Sequence, residues 1–198
     1  ASGKFPTLTE PYEGFHGMVF TEESPVSAFA LRARREGARD FGPCMAAMTA
    51  FQILQGLETL HLRTPRHVQS TATVVDFLAQ HAAVTRVHHP DAPSHPDHAL
   101  ARRLYPGGCS AILSFEIEGG REAGRRFIER LSLFSHLANI GDAKSLVIHP
   151  ASTTHFRMDD AALAAAGITP GTVRLSIGLE HPDDLIDDLG RALHASQK

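Results

Sequence analysis

The chain has 198 residues, 42% of them apolar, and a formal net charge of −3. That is enough apolar material for one large domain or two unequal parts, and it offers no basic field for nucleic acid. No apolar run approaches the roughly 20 residues of a membrane helix, no signal-peptide pattern opens the sequence, and Cys44 and Cys109 lack the paired spacing of a disulfide framework or thiolate metal site, so a reducing cytoplasm is expected.

Residues 1–24 are rich in Gly, Pro, Thr and Glu and read as a loop, with Tyr12, Phe15 and His16 packed against a neighbour. Ser24 and Pro25 predict the start of a helix from Val26 to about Arg39, whose Arg32, Arg34, Arg35 and Arg39 form a solvated basic face. Gly42-Pro43 breaks the chain. From Pro43 to Leu60, Met45, Met48, Phe51, Leu54 and Leu57 recur near helical spacing. Apolar residues cover much of this helix, which predicts burial on two sides. Thr64 and Pro65 read as cap and first residue of a helix reaching Gln80.

Val84–Val87 is a predicted strand, His98–Leu104 a short helix, Ala111–Glu116 a strand and Arg121–Leu131 a helix. Residues 134–155 follow, with two apolar pieces around the polar elbow Asn139-Ile140-Gly141-Asp142-Ala143-Lys144. Gly141-Asp142 permits a sharp turn, and His149-Pro150 leads into the hydroxyl-rich Ser152-Thr153-Thr154-His155. So many small polar groups between short strands suit the lining of a site; the plain alternative is two strands and a polar loop. Met158–Ala166 is a helix stopped by Gly167. Val173 to Glu180 alternates, with Val173, Leu175, Ile177 and Leu179 on one face and Arg174, Ser176, Gly178 and Glu180 on the other. A mid-strand Arg174 beside small residues can clamp a carboxylate or phosphate bidentately; the alternative is a surface arginine on a half-exposed strand. A last helix starts at Pro182, with Asp183 and Asp184 in its first turn and Leu185, Leu189 and Leu193 on one stripe. Residues 65–198 therefore predict an α+β domain: a small, mostly antiparallel sheet with helices on one face.

The thirteen histidines include a cluster, His88, His89, His95 and His98. Imidazoles invite a zinc or nickel reading, but the spacing has no ligand geometry and three prolines scatter the side chains, so no metal is expected. His149 and His155 can hydrogen-bond within the elbow or face a site; a structural role is favoured for both.

Residues 139–155, NIGDAKSLVIHPASTTH, and 173–189, VRLSIGLEHPDDLIDDL, together with Phe15-His16-Gly17, Phe41-Gly42-Pro43 and Leu54-Gln55-Gly56-Leu57-Glu58-Thr59-Leu60, carry a resemblance. It covers essentially the whole chain. The sequence resembles the C-terminal part of the Cys/Met-metabolism enzymes that depend on pyridoxal phosphate (PLP), and the Asn-Ile-Gly-Asp-Ala-Lys form of the elbow resembles their O-acetylhomoserine sulfhydrylase branch. The resemblance implies an α/β PLP-dependent transferase fold for the parent enzyme, of which residues 1–62 would be the end of the large domain with its connecting helix and residues 63–198 the α+β small domain. It implies replacement of acetate at Cγ by sulfide or a thiol, giving homocysteine or methionine, in a homotetramer built as a dimer of dimers. Arg174 matches the arginine that binds the substrate carboxylate; Asn139 and Thr154 match positions lining the same pocket.

The family's Schiff-base lysine motif would precede Ala1, and its phosphate-binding loop would lie earlier still. Lys4, in Ser2-Gly3-Lys4-Phe5, is followed by Pro6 instead of a glycine-rich run, and Lys144 lies in the elbow. The resemblance thus implies no catalytic or cofactor-binding residue here, PLP held by an N-terminal half, and that half as partner. Cystathionine γ-synthase, O-succinylhomoserine sulfhydrylase and methionine γ-lyase are the alternatives within the family. The alternative outside catalysis is an amino-acid-binding module with Arg174 clamping a free carboxylate.

Overall fold

Val173, Leu175 and Ile177 are fully buried in the computed structural model, which describes residues 3–198, and their alternation sets the layout of the larger of two units. One unit ends at Gly56; the other runs from Leu57 to Lys198.

The larger unit holds five strands: β1 (Val84–His88), β2 (Ile112–Ile117), β3 (Ser135–His136), β4 (Leu146–Ile148) and β5 (Thr172–Ser176). Their order is β1-β2-β5-β4-β3, antiparallel throughout except for the parallel β3–β4 pair. On one face Leu113, Phe115, Ile117, Val147, Val173 and Leu175 meet three helices: α5 (Leu60–Gln80), α7 (Gly120–Arg130) and α9 (Pro182–Ser196). Each helix contributes a stripe: Val74, Val75 and Leu78; Ala123 and Phe127; Leu185, Leu189, Ala192 and Leu193. Phe115 and Phe127 lock sheet to helix edge-to-face, with ring centroids 5.6 Å apart at 87°. Burial of each large side chain contributes about 1.5–3 kcal/mol, so this interface supplies much of the unit's stability. The opposite face of the sheet is bordered by residues 150–170, including the short α8 (Asp160–Ala165).

α9 follows its sequence signals: Pro182 occupies the first turn, His181 accepts a hydrogen bond from the Asp183 amide, and Asp183 and Asp184 sit where the helix dipole favours anions. The inward Asp188 is a feature the sequence reading missed. Its carboxylate accepts from the Ser132 amide and hydroxyl, at 3.1 and 2.8 Å, and from the Leu133 amide at 2.8 Å. Burial opposes its charge, but these donors outweigh that cost and hold the Asp188 carboxyl below its ordinary value.

Two helix starts differ from expectation. α5 begins at Leu60, so Pro65 lies inside it and Thr64 is no cap. The missing Pro65 donor leaves the carbonyl of an exposed residue, His61, open to water, and the helix survives it. The expected helix from Val26 instead starts at Ala28; α3 (Ala28–Arg32) widens into a π-helix from Ala33 to Phe41. Ser24 closes the preceding α2 (Phe20–Glu23), and its hydroxyl pairs with Ser27 at 2.8 Å.

The smaller unit also contains α1 (Pro6–Thr9). Tyr12, Phe15 and Phe20 cluster there with ring centroids 5.7–6.2 Å apart. His16 stays outside that cluster, exposed at a left-handed turn with φ 54°. The Arg32 guanidinium lies 4.5 Å above Tyr12 and bonds Glu36 at 2.6 Å, so Arg32 is a packed residue and no part of a solvated basic face.

α4 (Ala47–Glu58) is shorter than the predicted Pro43–Leu60 helix. The expected burial does not occur within this chain: Met48 is 66% and Leu54 59% exposed. No helix of the described residues is long and apolar enough to cross a membrane.

Candidate functional site

Arg174 lies at the middle of β5, the central strand, on the face away from the three helices. Its register neighbours are Ser114 on β2 and Ile148 on β4, and His88 continues the row on β1 opposite Ser114. A cavity of about 330 Å³ opens over this row, walled also by Thr172 and by His155 and Ile168 from the bordering segment. No carboxylate lines it, and among the described residues Arg174 is its one permanent charge. Around the cavity stand a guanidinium, the Ser114 hydroxyl and the His155 ring over an apolar floor, while His88 is already paired with the Glu116 carboxylate at 2.7 Å; a guanidinium beside a hydroxyl is suited to an anion.

A larger depression, about 590 Å³, is lined by Ser132, Leu133, Asp184, Asp187, Asp188 and Arg191. Its three carboxylates repel an acidic ligand, and Asp188 and Arg191 are already paired at 2.9 Å.

The elbow reaches the same site. Arg174 Nη2 donates to the backbone carbonyl of Asn139 at 3.3 Å, so Asn139 meets the arginine through its main chain while the residue is otherwise exposed. Thr154 is exposed and is not in the cavity wall; its hydroxyl pairs with His155 Nδ1 at 2.8 Å, and His155 is. The structure thus joins Arg174 to Asn139 directly and reaches Thr154 only through His155.

Two neighbours of Arg174 differ from their expected roles. Ser176 and Gly178 do not open space for a ligand: Ser176 is 1% exposed, and a Cβ on Gly178 would stand 2.5 Å from the Ala143 carbonyl oxygen and the Ser145 amide nitrogen. The elbow's base packs against that glycine, so the room for a ligand lies over Ser114 instead.

His149 holds the segment after β4. Its Nδ1 pairs with the Ser152 hydroxyl and its Nε2 with the Pro170 carbonyl, both at 2.8 Å. Burial pushes its pKa down, and the nearby Arg121 charge adds to this against the Pro170 bond. Gly124 is small because this ring passes it: a Cβ there would lie 2.8 Å from the imidazole.

The clustered histidines serve the fold. His88 bonds Glu116 at 2.7 Å, His98 meets the Pro90 carbonyl at 2.8 Å, and His89 and His95 accept from amides two residues on. Among the described residues no three His, Cys, Asp or Glu converge as metal ligands. The chain's three lysines, Lys4, Lys144 and Lys198, are exposed, and Lys144 and Lys198, which share the larger unit with Arg174, do not line its cavity; Ser2, beside Lys4 in the sequence motif, lies outside the described residues.

Residues 14–194 match the Cys/Met metabolism PLP-dependent enzyme family. O-acetyl-L-homoserine sulfhydrylase 1 of Thermus thermophilus is 46% identical over 96% of this chain and 45% of its own length. The homocysteine synthase of Schizosaccharomyces pombe is 43% identical over 98% of the chain and 46% of its own length. A Campylobacter jejuni O-acetylhomoserine (thiol)-lyase structure containing a pyridoxyl-lysine monophosphate superposes with a TM-score of 0.84 at 39% identity, over 96% of this chain and 45% of that one. A Xanthomonas oryzae cystathionine gamma synthase, solved with cystathionine, gives 0.74 at 41% identity over 81% of this chain and 41% of its own. The chain therefore spans under half the length of these relatives, and it belongs to the Cys/Met metabolism family of PLP-dependent enzymes.

Proposed function

We propose that this chain acts as the C-terminal portion of an O-acetylhomoserine sulfhydrylase, in which Arg174 clamps the substrate carboxylate while acetate at Cγ is replaced by sulfide or a thiol. The observation that carries the reading is the position of Arg174: central on the open sheet face, over a cavity without a carboxylate, and tied to the elbow at Asn139. Binding the α-carboxylate orients an amino-acid substrate and leaves its other end for reaction. Asn139 and Thr154 line the approach, the first through its carbonyl and the second through His155. The names of the T. thermophilus and S. pombe relatives support this activity, and the O-acetylhomoserine (thiol)-lyase structure superposes on 96% of this chain against 81% for the cystathionine gamma synthase, which favours it over cystathionine synthesis.

The placing of the cofactor rests on the sequence: PLP needs a lysine in the family's Schiff-base motif, and of this chain's three lysines Lys4 is followed by Phe5-Pro6, Lys144 lies in the elbow and Lys198 ends the sequence. We assign cofactor binding to an N-terminal half, residues 1–62 to the end of that larger domain and its connecting helix, and residues 63–198 to the small domain. The exposed Met48, Phe51, Leu54 and Leu57 support cover by further polypeptide, and we infer a dimer of dimers in the cytoplasm.

The test has two arms. The complete enzyme should form homocysteine from O-acetylhomoserine and sulfide faster than from O-succinylhomoserine, and the present chain, mixed with PLP and desalted, should keep no cofactor absorbance. Preference for the succinyl ester would move the enzyme to another branch. Retained absorbance on Lys4 or Lys144 would contradict the division of labour.

A further inference from the structure

The elbow that meets Arg174 is gripped at its base by one carboxylate. Glu180, four residues beyond the end of β5, accepts from the Ser145 amide through Oε1 and from the Ser145 hydroxyl through Oε2, both at 2.8 Å. The Ser145 hydroxyl oxygen accepts in turn from the Gly178 amide at 2.8 Å, and the Leu179 amide donates to the Ala143 carbonyl at 2.9 Å. Ser145 is fully buried, and Gly178 admits the Ser145 amide closer than any side chain would allow. The tip of the elbow is the reverse: Asn139, Ile140, Gly141 and Lys144 are exposed, and the one side-chain bond within it joins Asp142 to the Lys144 amide at 3.0 Å. A continuous path thus runs from Glu180 to Ser145, along the elbow to the Asn139 carbonyl, and from there to the Arg174 guanidinium.

We propose that Glu180 is a positioning residue for the substrate carboxylate: by holding Ser145 twice, it fixes the elbow that orients the Arg174 guanidinium. The inference rests on the reading of Arg174 as the carboxylate clamp. A bidentate clamp depends on the plane of its fork, and the Asn139 carbonyl is the acceptor that turns it. Without Glu180 the buried Ser145 amide and hydroxyl lose their acceptor, the elbow base loosens, and the guanidinium loses its fixed direction.

The experiment uses the complete enzyme containing this chain. Steady-state kinetics with O-acetylhomoserine are measured for Glu180→Ala, Glu180→Gln, Arg174→Ala and the Glu180→Ala/Arg174→Ala double variant, beside hydrogen exchange at the Ser145 and Gly178 amides. Glu180→Ala should lower kcat/KM roughly ten- to hundredfold, carried mainly by KM, with faster exchange at both amides. Glu180→Gln should recover part of the loss, because one oxygen still accepts from the Ser145 amide. Combining Glu180→Ala with Arg174→Ala should cost nothing beyond Arg174→Ala alone, since both act through one guanidinium. If Glu180→Ala speeds exchange but leaves KM unchanged while Arg174→Ala is impaired, the clasp is structural only and the proposal falls with the Arg174 reading intact. Full additivity in the double variant also overturns it. A silent Arg174→Ala overturns the underlying reading instead, so the two failures are told apart by which single variant is silent.

Discussion

The two faces of the sheet are built from alternate residues of the same strands, yet they answer to different demands. On the helix side Val173 and Leu175 are sealed beneath α5, α7 and α9 in a core built of apolar side chains, with the buried Asp188 held by its own donors. On the other side Arg174 and Ser114 stand at neighbouring register positions under an open cavity. A guanidinium on the first face would be a buried, unpaired charge costing far more than the strand could offset; on the second it keeps its solvent and a carbonyl partner. One face holds the unit together, and the other carries the open cavity. The division predicts that substitutions should separate cleanly into those that change stability and those that change turnover.

The largest effect belongs to the sealed face. Phe127→Ala removes the ring that meets Phe115 and should destabilise the protein by about 3–5 kcal/mol in a denaturant titration. On the open face, Arg174→Ala should cost about 2–5 kcal/mol of substrate binding in the transition state, a loss of roughly 30-fold to several thousand-fold in kcat/KM. Its unfolding free energy should stay within about 0.5 kcal/mol of the parent. An Arg174→Ala variant that unfolds as readily as Phe127→Ala would blur the two faces into one.

Asp188 sharpens the comparison through pH. Its folded carboxyl titrates below the unfolded value of about 3.9. The unfolded chain therefore binds the proton first as pH falls, and the stability from Asp188 is full above that value and lost as pH drops through the lowered folded one. Asp188→Asn should remove about 1–3 kcal/mol near neutrality, and the gap to the parent should narrow below pH 4 in parallel denaturation curves. The smallest change is expected at Arg125, whose pairs with Glu122 and Glu129 lie on exposed α7 surface; Arg125→Ala should leave Tm and kcat/KM within measurement scatter.

What was legible follows from range along the chain. The alternation of 173–177 and the leucine stripe of α9 are local patterns, and both appear where the sequence puts them. Arg174 was readable because its strand was. The Glu180–Ser145 clasp joins residues 35 apart, so no local pattern announces it. Reading Glu180 as a polar strand residue overlooked that β5 ends at Ser176 and the chain then turns back on the elbow. Pro65 misled for a related reason: proline marks a helix start only when the preceding turn cannot form, and here Leu60 already begins it. Ser114 gave no signal, since a serine in a strand is ordinary until the sheet sets it beside Arg174, and His155, weighed as facing a site but favoured as structural, lies in the cavity wall. The motif resemblance was the long-range information that composition and periodicity lack.

The central claim is that Arg174 binds the substrate carboxylate as a planar, two-pronged clamp. The most direct measurement is the kcat/KM of Arg174→Lys beside Arg174→Ala in the complete enzyme, with cofactor absorbance recorded for both. Lysine keeps the charge and loses the fork, so the account predicts that it is nearly as damaging as alanine, with cofactor content unchanged. Near-normal kcat/KM in Arg174→Ala would contradict it and leave Arg174 a residue of the strand face alone.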